Sequence, residues 1–411
     1  MAGTGIPPRQ NDHGSYDMIP QALILSGVRT PIGSLNGALA SVPAPELGSL
    51  CIKEALERAG VGPEEVDEVI LGNVLSAGMG QNPARQASLG AGLPVSVGAT
   101  TLNKVCGSGL KAVMMAAQAI RLGDAHLVVA GGMENMSRAP YLLTKARQGY
   151  RLGHAEVLDA MIHDGLWDVY GNQHMGVYGD RCAEKYGFTR ADQDDFAVRS
   201  YTRAQKAVTE GVFKEEIVPV QTGRDRQSTV VREDQEPARF VEEKLRGLRP
   251  AFGTGGTVTA GNASGISDGA AVLVLASESK CASLPRKPLA RVVGAATFSR
   301  EPEWFTLAPI GALKKLMEKL NWSVQTTDLF EINEAFSAVT MAAERELKIP
   351  AEKVNIYGGA VALGHPIGAS GARILVTLLT GLRRTGGHRG IACLCIGGGE
   401  AVALAVEAAG S

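Results

Sequence analysis

TTLNKVCGSGLKAVMMAAQAIRLGDAHLVVAGGMEN, residues 100–135, reads as a strand, a Gly-rich turn, a helix and a second strand. Leu110, Val113, Met114, Ala117 and Ile120 recur every three or four residues, the apolar stripe of a helix that packs on a sheet. The same order of parts returns near the C-terminus. There IGASGARILVTLLTGL (367–382) leads into IACLCIGGGE (391–400): a small-residue loop, an apolar helix, a strand and a Gly-rich end. A single weak repeat at so wide a spacing indicates a duplicated domain, not a solenoid, whose periods run from roughly 20 to 50 residues. A crevice between the two halves would bring distant loops together.

Outward from this stretch, ALILSGV (22–28) reads as a buried strand, PELGSLCIKEALERAG (45–60) as a helix ending on Gly60, and EVILGNVL (68–75) as another strand. Apolar runs alternating with helices predict an α/β fold with a mostly parallel sheet covered on both faces, because parallel strands need crossover connections. Between 139 and 258 the rhythm weakens, and the polar, Pro-containing stretch RDRQSTVVREDQEPARF (224–240) falls there. The α/β pattern resumes at TVTAGNASGISDGAAVLVLAS (257–277), and PLARVVGAA (288–296) reads as the first strand of another unit. The expected division is a flexible leader (1–20), an N-terminal half (21–138 plus 259–287), an inserted loop domain (139–258) and a C-terminal half (288–411).

Composition narrows the function. Of 411 residues, 45% are hydrophobic and 20% charged, enough for a sizeable core in two or three domains. The formal net charge is -1 and no segment concentrates Lys and Arg, so neither nucleic acid nor an anionic membrane is an expected partner. No apolar run reaches the roughly 18 residues that a spanning helix needs. Six dispersed cysteines form no disulfide framework and point to a reducing, cytoplasmic setting. Cys393 and Cys395 have no second Cys or His cluster near enough for a zinc site, so no metal is expected. The leader lacks an apolar h-region, and Asp12 and Asp17 fit poorly with a transit peptide.

Four constellations carry candidate chemistry. In NKVCGSG (103–109), Cys106 stands at a strand–helix junction, where free N–H groups and the positive helix end favour a thiolate. Gly107 and Gly109 would leave room for a planar thioester; the competing reading is a structural cysteine in a turn. In GGAVALGHPIGASG (358–371), His365 precedes Pro366 and is held on a loop, as a base for a thiol, a donor to an oxyanion, or a turn histidine satisfied by backbone. In CLCIGGG (393–399), Cys393 and Cys395 share one strand face, and Cys395, nearer the end, is the better candidate for exchanging a proton with substrate. In DLFEINEAF (328–336), Asn333 is either a helix N-cap or an amide at the carboxyl end of a strand, where open α/β sheets bind ligands.

Taken together, NKVCGSG, HMG, TAGNASGISDGAA, INEAF, GGAVALGHPIGASG and CLCIGGG resemble the thiolase family in order and spacing, over nearly the whole chain from residue 20. The resemblance implies a duplicated five-layered α/β/α/β/α fold with a loop domain, assembled as a homotetramer, a dimer of dimers. It implies that Cys106 takes up the acyl group and His365 activates its sulfur. Cys395 then serves as acid and base, and Asn333 holds a water beside the enolate. The acyl carbonyl would face the N–H groups of Cys106 and Gly397. Ser264 matches the family position on the pantetheine arm, and His174 and Met175 match residues at the acyl end of the pocket. Two departures stand out: Val177, Tyr178, Gly179 and Asp180 follow HMG where a T-A-E-like triplet is usual, and DQEPAR (234–239) only roughly matches a coenzyme A contact at Arg239.

The expected function is condensation of two acetyl-CoA to acetoacetyl-CoA and CoA, or the reverse thiolysis, through an acyl-Cys106 thioester in a ping-pong cycle. Coenzyme A thioesters are substrates here, and no cofactor is expected. The alternatives are a degradative 3-ketoacyl-CoA thiolase accepting longer chains and a non-catalytic CoA-binding scaffold. A decarboxylating ketoacyl synthase would not need the thiol of CLCIGGG.

Overall fold

The computed structural model describes residues 20–223 and 228–409. The expected leader, but for Pro20, therefore lies outside the described residues. The main elements are β1 (Ala22–Arg29), α1 (Ala44–Ala59), β2 (Glu68–Gly72), α2 (Pro83–Gly90), β3 (Gly98–Leu102), α3 (Ser108–Leu122) and β4 (Leu127–Asn135). Then come β5 (Trp167–Asp168), β6 (Gln173–His174), α4 (Met175–Tyr186), α5 (Arg190–Thr209) and β7 (Ser267–Ser277). The chain continues with β8 (Ala290–Ser299), α6 (Ala308–Leu320), β9 (Leu329–Ile332), α7 (Ser337–Leu347), α8 (Ser370–Thr385), β10 (Arg389–Ile396) and β11 (Glu400–Ala408).

Nine strands hydrogen-bond in the order β9-β10-β11-β8-β1-β7-β4-β2-β3, with Gly33–Ser34 added on β7. The expectation of a mostly parallel sheet is corrected: β2 with β3, β2 with β4 and β9 with β10 run parallel, and the other five neighbour pairs run antiparallel. Two connections cause this. Residues Gly397–Gly399 join β10 to β11 in a turn too short for a crossover helix, with Gly398 and Gly399 both at φ +91. The last strand of the N-terminal half, β7, returns beside β4 only after the long inserted segment. The two halves meet edge to edge through a three-residue ladder, Ala22↔Val292 to Ile24↔Ala290.

Three cores define five layers. Between the halves, α3 and α8 bury Leu110, Val113, Ile374, Leu375 and Leu378 against strands of both. Outside the N-terminal half, α1 and α2 cover β1, β2, β4 and β7; outside the C-terminal half, α6 and α7 cover β8 to β11. The helix α8 is buried from Ser370 to Leu382. Each buried Leu or Ile is worth roughly 1.5–3 kcal/mol, which holds a helix without a solvent face only in the middle layer. The inserted segment does not stand apart: Cys182 and Ala183 of α4 join the outer C-terminal core, and Ala197, Tyr201 and Ala204 of α5 pack with Val361–Leu363. This packing brings α4, the start of α3 and the start of α8 to one cavity.

Candidate active site

A cavity of ≈ 470 Å³ opens where these parts converge, and Cys106, His174, Met175, Ser264, His365 and Gly397 all line it. Cys395 and Asn333 lie one layer behind. Cys395 clusters with Met175, Phe252, Ala335 and Phe336, which do line the cavity, and Asn333 immediately precedes the loop carrying the last two.

Cys106 sits just ahead of α3 on a constrained turn. Val105 has φ +47, a conformation strained for a β-branched residue, and it persists because its neighbours fix it. Asn103 Oδ1 accepts from Val105 N at 2.9 Å, while Ser108 Oγ donates to Val105 O at 2.6 Å and accepts from Lys104 N at 2.8 Å. The glycines serve the fold here: a Cβ on Gly107 would collide with Ile396, and one on Gly109 would sit 2.9 Å from Ala372 N and 3.0 Å from Gly368 O. Their small size thus lets α3 approach β10 and the His365 loop, a packing role alongside the expected room for a thioester.

The half-buried Cys106 thiol is pushed up to about 11 by burial. Hydrogen bonds from the N–H groups of Gly397 and of Cys106 itself pull it down, and Glu134 pushes it up again. Desolvation exceeds what these donors return, so the resting group is a neutral thiol. These two N–H groups, near enough to the sulfur to lower its pKa, are also placed to hold an oxyanion formed beside it.

His365 is 6% exposed, and its backbone N–H is shared between Gly265 O (3.0 Å) and Ser267 Oγ (3.2 Å). Its Nδ1 lies 2.5 Å from Ser370 Oγ, whose hydroxyl donates to Pro366 O at 2.9 Å. With its one proton so engaged, Ser370 can only accept from Nδ1–H, leaving Nε2 with a free lone pair. Nε2 is buried without a partner among the described residues. Burial, helped by the Arg373 cation, lowers the imidazole to about 3, so it is neutral. The turn-histidine alternative is thereby set aside for Nε2, the one ring atom left unbound.

Cys393 and Cys395 separate as their strand positions allow. Cys393 packs in the outer C-terminal core near Pro309 O, whereas Cys395 is wholly buried beside the cavity. Burial holds the Cys395 thiol well above 9, reinforced by Cys106 and Cys393. Asn333 is not an N-cap: α7 begins at Ser337, with Phe336 preceding it. Both side-chain amide atoms of Asn333 are buried and unpartnered among the described residues, a costly arrangement that leaves them free to bind a water or ligand.

The inserted segment supplies the far wall. His174 caps α4, its Nδ1 accepting from Gly176 N at 3.1 Å, and its ring stacks on Phe252 at 4.6 Å. Ser264 Oγ and N both donate to Ala335 O, at 3.0 and 3.1 Å. At the rim, Arg239 faces Ser34 Oγ (3.2 Å) and Glu236 (3.4 Å).

Several residues escaped sequence reasoning. Glu134 is fully buried at the end of β4; its oxygens accept from Asn73 Nδ2, Val74 N, Leu75 N and Gly368 N at 2.9–3.2 Å, tying the N-terminal half to the His365 loop. Burial raises this carboxyl to about 7. The rule that singled out Asn333, a polar residue at the carboxyl end of a buried strand, would have found it. Ser370 and the rings of Phe252, Phe305 and Phe336 carry no comparable signal.

Comparison with known proteins agrees along the chain. Residues 22–279 match the family described as "Thiolase, N-terminal domain" and 286–408 the one described as "Thiolase, C-terminal domain". The chain is 52% identical to an acetyl-CoA acetyltransferase of Cupriavidus necator, covering 94% of this chain and 98% of that one, and 52% identical to acetyl-CoA acetyltransferase 2 of Arabidopsis thaliana, covering 96% and 99%. It superposes on the crystal structure of the Bacillus anthracis acetyl-CoA acetyltransferase with a TM-score of 0.93 at 46% identity, over 95% and 99% of the two chains.

Proposed function

The chain belongs to the thiolase family, and from that premise we propose that it is an acetyl-CoA C-acetyltransferase, joining two acetyl-CoA into acetoacetyl-CoA and CoA or cleaving the product in reverse. The observation that carries the reading is the meeting of the Cys106 thiol, the free Nε2 of His365 and the Gly397 N–H at one cavity. In the first half-reaction Cys106 gives its proton to Nε2 and attacks the thioester carbonyl. The oxyanion rests on the N–H groups of Cys106 and Gly397, and CoA departs with the proton of Cys395. Cys395 is then a thiolate, and the burial that raises its pKa makes it a strong base for the α-proton of the second acetyl-CoA. The enolate formed is stabilised by the imidazolium of His365 and a water on Asn333, and it attacks the acetyl carbon. Collapse releases the Cys106 sulfur, which recovers its proton from His365.

Ser264, His174 and Met175 would receive the pantetheine arm and the acyl end, with no cofactor beyond the CoA thioesters themselves. Among the described residues no helix is long and apolar enough to cross a membrane. A cytoplasmic homotetramer is the proposed setting. Turnover of acetoacetyl-CoA against a series of longer 3-ketoacyl-CoA thioesters tests the substrate; preference for six carbons or more contradicts it and favours the degradative alternative.

A further inference from the structure

Tyr178 stands in the stretch that departs from the usual family pattern after HMG, and it is 1% exposed. It lies one turn into α4, on the same face as Met175, whose methyl group approaches Gly397. Its hydroxyl donates to Asp168 Oδ2 at 2.7 Å, and the same oxygen accepts from Gly171 N at 2.6 Å. Asp168 is itself buried and pairs with Gln173 in the β5–β6 hairpin, while Trp167 pairs with His174. One hydroxyl therefore pins a hairpin that carries Gly165 and Leu166 of the cavity wall at one end and His174 and Met175 at the other. Gly171 fits this arrangement: a Cβ there would fall onto the Tyr178 hydroxyl.

The ring of Tyr178 acts on the opposite wall. It meets Phe305 edge-on at 6.1 Å, Phe305 meets Phe336 at 6.4 Å, and both phenylalanines line the cavity beside buried Cys395. Leu166 and Met161, on a single π-helical segment, pack with Ile367 and Leu75 against Cys106. The side chain that locks this segment and props Phe305 is thus placed to fix the depth of the acyl end. We propose that Tyr178 is a positioning residue that limits acyl length, acting through Asp168 on one wall and Phe305 on the other; this rests on the acyl-transfer reading above.

Tyr178→Phe removes the hydroxyl and keeps the ring, Asp168→Asn weakens the same bond from its other end, and Tyr178→Thr also removes the ring. For each, kcat/KM is measured with acetoacetyl-CoA and with its six-carbon homologue, and acetylation of Cys106 by acetyl-CoA is followed by mass spectrometry. The expected result is that all variants are acetylated, while the six-carbon to four-carbon ratio rises about threefold in Tyr178→Phe and Asp168→Asn and at least tenfold in Tyr178→Thr. Ratios within twofold of the wild type in soluble Tyr178→Phe and Asp168→Asn overturn the inference even if Tyr178→Thr fails to fold. Absence of acetylation in the wild type would instead overturn the acyl-transfer reading.

Discussion

The state of Cys106 at rest gives a quantitative prediction. A thiol pushed up to about 11 is ionised in roughly one molecule in ten thousand at pH 7, against a few per cent for an ordinary cysteine near 8.5. Moving its proton to His365, an imidazole that burial also holds neutral, is uphill in the resting enzyme. The thiolate–imidazolium pair is therefore a transient species and not the resting one. Alkylation by iodoacetamide reads this directly. Cys106 is the one cysteine of six that is not buried, and peptide mapping confirms the modified site. The rate constant should rise about tenfold per pH unit from 6 to 9 without levelling. A plateau starting below pH 8 would require a stable thiolate–imidazolium pair and would refute the reasoning.

Two further outcomes follow from the site. Cys395→Ala should still be acetylated on Cys106, because a CoA thiolate can leave before it finds its proton, but condensation should fall by roughly 10²–10⁴-fold; normal condensation removes Cys395 from its role. For Glu134, the folded carboxyl titrates near 7, above its ordinary 4.5, so the native state keeps a proton that the unfolded chain has lost between those values. Its contribution to stability therefore falls as pH rises from about 4.5 to 7, by at most about 3 kcal/mol. Glu134→Gln has no such loss, and its deficit against the wild type in urea unfolding should narrow by about 2–3 kcal/mol between pH 5 and pH 8. A pH-independent deficit contradicts this.

The layers were legible where periodicity decides them. Leu110 to Ile120 and the echo at 367–382 marked α3 and α8 as parts of a duplicated domain, but that the two helices share one middle layer came only with the family resemblance and the packing. Strand direction was not legible: a buried apolar run is the same in either sense, and only the short Gly397–Gly399 turn reveals β10 and β11 as a hairpin. The family resemblance implied that Cys106, His365 and Gly397 surround one acyl group, and all three line one cavity, but the protonation of the thiol and the imidazole depends on burial, which motifs do not report. At Cys106 desolvation raises the thiol by more than the nearby N–H groups lower it, a balance that the strand–helix junction does not reveal in the sequence. Asn333 shows the converse: its unpartnered amide is visible only once α7 is seen to start four residues later. Glu134 went unread because its partners, Asn73–Leu75 and Gly368, are distant in sequence.

The proposed reaction requires that Cys106 carry the acyl group. Intact-mass spectrometry after incubation with acetyl-CoA tests it most directly. One acetyl group is expected on the wild type and on Cys395→Ala, and none on Cys106→Ala. An unmodified wild type, or an undiminished adduct in Cys106→Ala, would contradict it.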